Sequence, residues 1–309
     1  MLSISHINVQ KYIEENCKFG SKNPFEKSFI LEVHKMFYTQ DGMDSFLKIE
    51  DGDSIEIMIP GIQRHRDVAV GDHIAPKFDE VNHLFNLYES QYKQAFIEPQ
   101  WKKLIYALSS HHRLSYIHPF LDGNGRVSRL MLDGALNFYN IEGYGLWNIS
   151  RGLAKNHNEY NKYLRHADTP RMSDTDGRGS LSSKCLEEYL FYMMNTALEQ
   201  INYMNSCLKL DTLGNRIRVY SNKVNSKMFD ITPLPDKSEL IFNELLICGE
   251  IKRGDIGGII GKGRTTAVKV VNELLKRDFL YSKDSKDTLK LKINAHFGSQ
   301  ILPNLIPQQ

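Results

Sequence analysis

The sequence predicts a mainly α-helical protein with an inserted β-hairpin and a C-terminal winged helix-turn-helix. Three observations support this prediction. Apolar residues recur every three or four positions in several long segments, as in amphipathic helices. Residues 46–71 instead alternate around Asp51-Gly52, a typical hairpin turn. After the two prolines of the 231–239 segment, the pattern changes to a short helix, a glycine-rich turn, a second helix and two strand-like segments.

The length of 309 residues favours two domains. The proline-containing segment places the boundary after residue 230, with a helical domain over 1–230 and a second domain over 231–309. A hydrophobic fraction of 41% and a charged fraction of 25% are ordinary for globular proteins. The net charge of +2 is too small to indicate nucleic-acid binding by the whole chain.

In the first domain the apolar periodicity predicts one helix after another on either side of the hairpin. The predicted helices cover about 25–38, 79–94, 98–115, 125–139, 149–165, 182–206 and 209–224. An N-terminal helix that carries Glu15 precedes them.

In the second domain a helix near 238–248 precedes a turn at Gly261 and Gly263. The next helix has Val268, Val271, Leu274 and Leu275 on one face, and the strand candidates FLYS and TLKLKI follow. This order is that of a winged helix-turn-helix. Residues 236–309 contain 12 lysine and arginine residues against 9 acidic residues. The basic residues near the predicted recognition helix are Lys262, Arg264, Lys269, Lys276 and Arg277. This charge suits either DNA or a protein partner.

The sequence also predicts a cytoplasmic protein. The four cysteines, Cys17, Cys185, Cys207 and Cys248, are far apart and form no CxxC pair, which favours reduced thiols. The N-terminus lacks the basic and apolar regions of a signal peptide. No apolar stretch approaches the roughly 20 residues that a membrane-spanning helix needs, so we expect no membrane association.

The chemistry is concentrated in the segment His118-Pro-Phe-Leu-Asp-Gly-Asn-Gly-Arg-Val-Ser-Arg129. Its two glycines, Gly123 and Gly125, allow successive backbone N–H groups to converge on one anion. A helix begins directly after them, and its N-terminus adds free N–H donors and a positive dipole. The segment therefore predicts a phosphate-binding loop.

Charged residues of the same segment complete a polyphosphate site. Arg126 and Arg129 are three residues apart on the helix, so both guanidinium groups point to nearly the same side. Asp122 is suited to hold Mg²⁺ beside phosphate oxygens. His118 is the local group with a pKa suited to general-base catalysis. Together these residues predict phosphoryl or nucleotidyl transfer.

This segment resembles the Fic family signature HPFx[D/E]GN[G/K]RxxR and matches it at every specified position. Residues 59–76 are similar to the flap that precedes the core of bacterial Fic proteins. His111 occupies a position where these proteins often have histidine, and 166–182 resembles the loop after the core. The resemblance covers roughly residues 25–305 and implies a Fic helical core with a β-hairpin flap at about 46–71.

The resemblance implies a protein adenylyltransferase that moves AMP from ATP to a Ser, Thr or Tyr hydroxyl of a target protein or of itself. His118 would take the hydroxyl proton, and Asp122 would hold Mg²⁺. Gly123, Asn124 and Gly125 would form the anion hole. Arg126 would neutralise the α- and β-phosphates, and Arg129 would contact the γ-phosphate.

Further roles follow from the same resemblance. Asn156 and Tyr160 would line the adenine and ribose pocket, although Asn156 would equally suit an ordinary solvated helix position. An extended target segment would pair with the flap. Arg64 is either a flap residue that docks the target or a surface charge. Dimerisation is common among similar proteins, so a homodimer is expected.

Many Fic proteins restrain the second motif arginine with a glutamate from an [S/T]xxxE[G/N] helix. Only Glu15-Asn16 and Glu142-Gly143 approach this pattern, and Lys11 and Phe138 stand where its Ser or Thr is required. The inhibitor is therefore degenerate, supplied by another chain, or part of a missing upstream segment. We favour the third interpretation, a missing upstream segment. Two other functions remain open: a DNA-binding regulator with a nucleotide-sensing core, and an enzyme that removes AMP or transfers another nucleotide.

Overall fold

The computed structural model describes residues 1–18, 22–51, 54–71, 73–93, 97–284 and 286–302. The protein is mainly helical, as predicted. It divides into two compact units, Met1–Gln200 and Ile201–Gln309. In the described ranges no helix combines the length and the apolar character that a bilayer crossing requires.

The helices of the first unit follow the predicted order closely. They are α1 (Leu2–Cys17), α2 (Lys27–Tyr38), α3 (Val81–Lys93), α4 (Gln100–Ile117), α5 (Asn124–Phe138), α6 (Ile149–Lys155), α7 (His157–His166) and the start of α8 (Ser183–Cys207). Short 3-10 turns occupy Asp44–Leu47 and Phe78–Glu80. The predicted helix over 149–165 is two helices, because Asn156 adopts φ −121° and ψ 49° and interrupts the helical hydrogen bonding.

Helix α5 is the centre of the first core and packs against α1, α2 and α4. Its buried residues include Val127, Leu130 and Leu136. The contact with α1 is close at Gly134, where an added Cβ would lie 3.0 Å from Cγ2 of Ile13. A side chain at this position would therefore push apart the helices that hold the motif in place.

The 46–71 segment and the residues after it form two small antiparallel hairpins rather than one. Strand β1 (Lys48–Asp51) pairs with β2 (Ser54–Ile57) in the register Lys48↔Ile57, and β3 (Ala69–Val70) pairs with β4 (His73–Ile74). The first hairpin confirms the prediction, although its turn lies partly outside the described residues. The chain leaves the ladder near Pro60, which lacks a backbone N–H, and Gly61, which has φ 81°.

The second unit contains α9 (Leu210–Asn225), α10 (Ser238–Cys248), β5 (Glu250–Ile251), a 3-10 turn (Arg253–Asp255), α11 (Ile256–Ile260), α12 (Arg264–Lys276), β6 (Leu280–Tyr281), β7 (Leu289–Leu291) and α13 (Ala295–Ile301). The strands form an antiparallel sheet in the order β5-β7-β6. The core of the second unit includes the fully buried residues Ile217, Phe242, Leu274 and Phe297.

The buried face of α12 differs from the predicted one. It consists of Ala267, Val270, Val271 and Leu274, whereas Val268 is half exposed. The spacing of three and four residues is preserved, but the apolar face is rotated by one position.

Candidate active site

The predicted motif lies between the end of α4 and the start of α5. His118 ends α4 in a left-handed conformation, with φ 50° and ψ 60°. Gly123 precedes α5 with φ 84° and ψ 0°. A left-handed residue is strained unless it is glycine. The conformation of His118 therefore depends on the contacts around it.

His118 is largely buried and is oriented by its own helix. One ring nitrogen hydrogen-bonds to the backbone of Ser115, and this bond alone would raise the pKa of His118. Burial and the nearby His73 and Arg64 outweigh it and lower the pKa of His118 to about 4. The imidazole is therefore neutral near pH 7, with its second nitrogen free of that backbone bond and able to accept a proton.

The side chain of Asn124 closes the loop that follows His118. Its Oδ1 accepts the Phe120 N–H at 2.8 Å, and its Nδ2 donates to the Phe120 carbonyl at 2.8 Å. Asn124 thus contributes its side chain to the loop and its backbone to the first turn of α5. The N–H groups of that turn have no partners within the helix and can receive an anion.

Gly123 is required at its position for two reasons. Its φ of 84° favours glycine, and an added Cβ would lie 2.5 Å from the hydroxyl oxygen of Tyr38. Tyr38 ends α2, so the glycine allows a distant helix to approach the motif loop.

Tyr38 connects the two charged residues of the loop. Its hydroxyl donates to Oδ2 of Asp122 at 3.1 Å and accepts from Arg126 at 2.6 Å. Arg126 also donates to Oδ2 of Asp122 at 3.1 Å. Burial lowers the pKa of Arg126, but Tyr38 and Asp122 raise it by more. The three side chains therefore hold each other in one arrangement before any ligand binds.

His34 contacts the motif loop through a hydrogen bond and a ring stack. Its Nδ1 accepts the Gly61 N–H at 2.8 Å, which leaves Nε2 as the donor toward the Asp122 carbonyl at 3.2 Å. Its ring stacks on Phe120 with centroids 3.8 Å apart. Burial lowers the pKa of His34 to about 4, so the neutral ring links the flap segment to the motif.

Arg129 lies near a chain of hydrogen bonds that ends in α5 itself. Burial raises the pKa of Tyr160, on α7, and the nearby Arg129 charge opposes this shift. The Tyr160 hydroxyl lies 2.9 Å from Nε2 of His111. His111 donates its Nδ1–H to the Ser128 carbonyl at 3.0 Å. Burial lowers the pKa of His111 to about 3, so this link is neutral.

The motif faces a cavity of about 530 Å³. His118, Asn124, Gly125, Arg129 and Tyr160 line it, so the structure brings together five of the predicted site residues. Asn156 is exposed and is not among the described residues that line the cavity, in contrast to the prediction. Two other polar residues of the same helix, Asn158 and Asn161, line it instead.

Arg64 also differs from both sequence interpretations, because it is buried. Its Nε–H donates to the His118 carbonyl at 2.8 Å, and its other nitrogens donate to the carbonyls of Arg66 and Pro76. The Arg64 backbone N–H donates to the Pro119 carbonyl at 2.9 Å. Arg64 therefore holds the left-handed turn at His118 rather than an exposed docking position.

Sequence reasoning did not find Tyr38, His34, His73 or Asp168. His73 lies on β4, and its ring centroid is 5.3 Å from that of His118. Asp168 accepts hydrogen bonds from both His73 and His112. The loop predicted after the core contained Asp168, but no sequence pattern links it to a histidine so far away in the chain.

Comparison with solved structures finds partial matches. A Fic domain containing signaling protein from Bacteroides thetaiotaomicron VPI-5482 has a TM-score of 0.48 and 19% identity, with 65% of this chain and 69% of that chain covered. A Fic family protein from Desulfovibrio desulfuricans G20 has a TM-score of 0.42 and 15% identity, with 94% and 75% covered.

Sequence comparison finds relatives in the region of the motif. The Protein adenylyltransferase Fic of Aedes aegypti is 41% identical over 129 residues, which cover 41% of this chain and 22% of that protein. The protein of the same name from Culex quinquefasciatus is 37% identical over 75 residues, 24% of this chain and 14% of that protein. The chain thus spans about a fifth or less of the length of these relatives. Residues 24–136 match the Fic/DOC family and form a domain of that family.

Proposed function

We propose that this chain is a protein adenylyltransferase, which transfers AMP from ATP to a Ser, Thr or Tyr hydroxyl of a target protein or of itself and releases pyrophosphate. One observation carries the proposal. A half-buried, neutral His118 shares a cavity with the N-terminus of α5 and with Arg129. The relatives of this domain are named for the same activity.

In this reaction His118 takes the proton of the acceptor hydroxyl. The hydroxyl oxygen forms a bond to the α-phosphorus, and the bond from that phosphorus to the bridging oxygen of pyrophosphate breaks. The lowered pKa of His118 keeps it unprotonated at neutral pH, so it is ready to accept the proton.

The motif loop binds the triphosphate. The backbone N–H groups of Gly123, Asn124 and Gly125 receive phosphate oxygens, with the dipole of α5 behind them. Arg126 faces the α- and β-phosphates, and Arg129 reaches the γ-phosphate. Hydrogen bonds already hold the Arg126 guanidinium group, so little reorganisation of this side chain is needed when ATP binds.

Asp122 has the properties of a magnesium ligand. Oδ2 accepts the bonds of Tyr38 and Arg126, and Oδ1 has no hydrogen bond from the residues that the structure describes. The side chain is 45% exposed, which leaves room for a hydrated ion. Mg²⁺ prefers one or two carboxylates together with phosphates and water, so the residues fit it. When bound, Mg²⁺ would neutralise charge on the α- and β-phosphates.

The adenosine part of ATP lies on the α7 side of the cavity. Tyr160 packs there, and Asn158 and Asn161 offer amide groups. Asn156 would take part only at the outer edge, because it is exposed.

The test is transfer of label from α-labelled ATP to protein in a cell lysate. We expect His118→Ala to abolish transfer while ATP binding persists. The control is His65→Ala, since His65 is an exposed histidine of the flap segment that pairs with Glu56. Equal labelling by the wild type and His118→Ala would refute the catalytic role of His118. ATP binding without any transfer would instead favour a nucleotide-sensing regulator. Preference for UTP or GTP would indicate another nucleotidyl transfer.

Residues 231–309 of the second unit are proposed to form a winged helix-turn-helix. Their order of elements supports this, with α11 and α12 separated by a turn at Gly261 and followed by the β6–β7 hairpin. Lys262, Arg264, Lys269 and Lys276 are exposed and available to phosphates. Arg277 is not, because it donates to the carbonyls of Thr232 and Pro233. Salt-dependent binding of labelled duplex DNA would support DNA recognition, and no affinity at low salt would favour protein docking.

We further propose a cytoplasmic homodimer. The described cysteines are unpaired thiols, three of them buried, as a reducing compartment favours. Sedimentation of the purified chain over a concentration series tests the dimer, and a single monomeric species at all concentrations would refute it.

A further inference from the structure

Asp168 lies between two histidines. Its Oδ1 is 2.9 Å from Nε2 of His112, and its Oδ2 is 2.9 Å from Nδ1 of His73. Burial alone would raise the pKa of Asp168, but the hydrogen bonds from the two rings outweigh it and lower the pKa. An ionised carboxylate can only accept hydrogen bonds, so both facing nitrogens carry a hydrogen.

The two histidines lie in different surroundings. The His112 side chain is 1% exposed inside α4, and burial lowers the pKa of His112, so it stays neutral. The His73 side chain is 12% exposed on β4, beside the His118 ring. Of the two rings, His73 is therefore the one that lies at the site.

The outer nitrogen of His73 lacks a partner. Its Nε2 is buried and makes no hydrogen bond with the described residues. An enclosed polar atom without a partner is unfavourable. A ligand that reaches His73 would therefore gain from pairing with this nitrogen.

His73 also stands where two cavities meet. It lines the 530 Å³ cavity that contains His118, Gly125 and Arg129. It also lines a neighbouring cavity of about 980 Å³, which Lys162, Pro170 and Glu188 line as well. The motif residues line the first cavity and are not among the described residues that line the second. The second cavity thus has room for an acceptor segment that enters from the flap side.

We propose that His73 positions the acceptor hydroxyl for transfer. In this role, His73 donates Nδ1–H to Asp168 and Nε2–H to the oxygen of the hydroxyl. The hydroxyl proton passes to His118, the oxygen forms its bond to the α-phosphorus, and pyrophosphate leaves with the electrons of the broken bond. His73 keeps both of its protons throughout. This role rests on the proposed adenylyl transfer.

Two substitutions separate the two nitrogens of His73. His73→Asn keeps a donor near the Nδ1 position, so it retains the contact with Asp168 but loses Nε2. His73→Gln places its amide nitrogen near the Nε2 position and gives up the contact with Asp168. We expect His73→Asn to slow label transfer from α-labelled ATP by roughly 10- to 100-fold, because a positioning hydrogen bond to the acceptor is lost. We expect His73→Gln to transfer faster than His73→Asn.

The measurement is the initial rate of protein labelling in a lysate at saturating ATP, together with the Kd for ATP. We expect the Kd to change by less than about twofold, because the lost contact is on the acceptor side. His112→Gln is the matched control. It keeps a donor to the same carboxylate away from the cavity, and we expect it to lower stability with little change in rate per folded molecule.

Three results would overturn the proposal. His73→Asn could match the wild-type rate, His73→Asn could outperform His73→Gln, or the Kd for ATP could rise as much as the rate falls. The second result would assign His73 a structural role through Asp168. If the wild type itself labels no protein, the proposed adenylyl transfer fails, and that outcome is distinct from the other three.

Discussion

Arg64 donates its Nε–H group to the backbone carbonyl of His118 over 2.8 Å. His118 has a left-handed backbone, which a non-glycine residue adopts only when its surroundings impose it. The guanidinium group, which also donates to the carbonyls of Arg66 and Pro76, supplies part of that constraint. Hydrogen bonds from Arg64 therefore connect the flap segment to His118, the proposed general base.

Arg64→Lys should destabilise the protein and slow transfer. A lysine ammonium cannot reach three carbonyls in the geometry of the guanidinium fork, and loss of a buried charged donor costs roughly 2–4 kcal/mol. Thermal unfolding and labelling rate are the measurements. Arg66→Lys is the control, since Arg66 is partly exposed and pairs with Glu56. Equal effects of the two substitutions would contradict the role given to Arg64.

Gly123→Ala should impair ATP binding and stability together. The substitution combines a left-handed backbone with a contact of 2.5 Å to the Tyr38 hydroxyl. We expect a loss of stability of roughly 1–3 kcal/mol. Gly179→Ala isolates the backbone contribution, because Gly179 has φ 76° with open space around its Cβ position. If both variants lose the same stability and keep ATP affinity, the contact with Tyr38 is unimportant.

Tyr38→Phe should weaken ATP binding in the presence of Mg²⁺. Without the hydroxyl, Asp122 and Arg126 lose their shared hydrogen-bond partner, and such a bond contributes about 1 kcal/mol. Titration calorimetry should show a Kd increased by about fivefold. Tyr12→Phe is the control, because the Tyr12 hydroxyl bonds to Glu32 and Lys22 at the surface. An unchanged Kd for Tyr38→Phe would show that Asp122 and Arg126 keep their positions without it.

Acid should destabilise the fold through its buried histidines. Burial lowers the pKa of His34 and His118 to about 4 and that of His111 to about 3, below the usual value of 6.5. At a pH between the lowered pKa of each histidine and 6.5, the unfolded chain binds more protons than the folded chain. Stability is therefore complete above about pH 6.5 and falls as the pH drops toward 4, by roughly 2 kcal/mol per histidine at pH 5.

Denaturant unfolding at pH 7 and pH 5 measures this effect. His111→Gln should be less stable than the wild type at pH 7 but should lose less stability on acidification. The same loss in both proteins would mean that His111 does not contribute to the pH dependence.

Glu15→Gly should not increase labelling activity. Glu15 is exposed and forms an ion pair with Lys11 at 3.9 Å, one turn away on α1. It therefore does not occupy the place of an inhibitory glutamate against Arg129. A large rise in self-labelling on this substitution would show that α1 restrains the enzyme through Glu15.

Helix periodicity predicted most elements well, because the apolar face of a helix is determined by residues three and four apart. The prediction was less accurate where a single residue determines a helix boundary or the orientation of a helix face. Asn156 interrupts the predicted helix over 149–165, and the apolar face of α12 is rotated by one position. The burial of Arg64 depends on the carbonyls of His118 and Pro76, which are distant in the chain, so the sequence did not indicate it. Asn156 is exposed, in agreement with the solvated alternative.

The sequence by itself determined the motif from His118 to Arg129, because a phosphate-binding turn and the helix after it are properties of adjacent residues. Only the tertiary structure decided what surrounds that motif. Tyr38 reaches Asp122, His111 holds Tyr160, and Asp168 joins His73 to the site, although each pair is far apart in the chain. Helix packing brings these residues together, and no local spacing encodes such contacts.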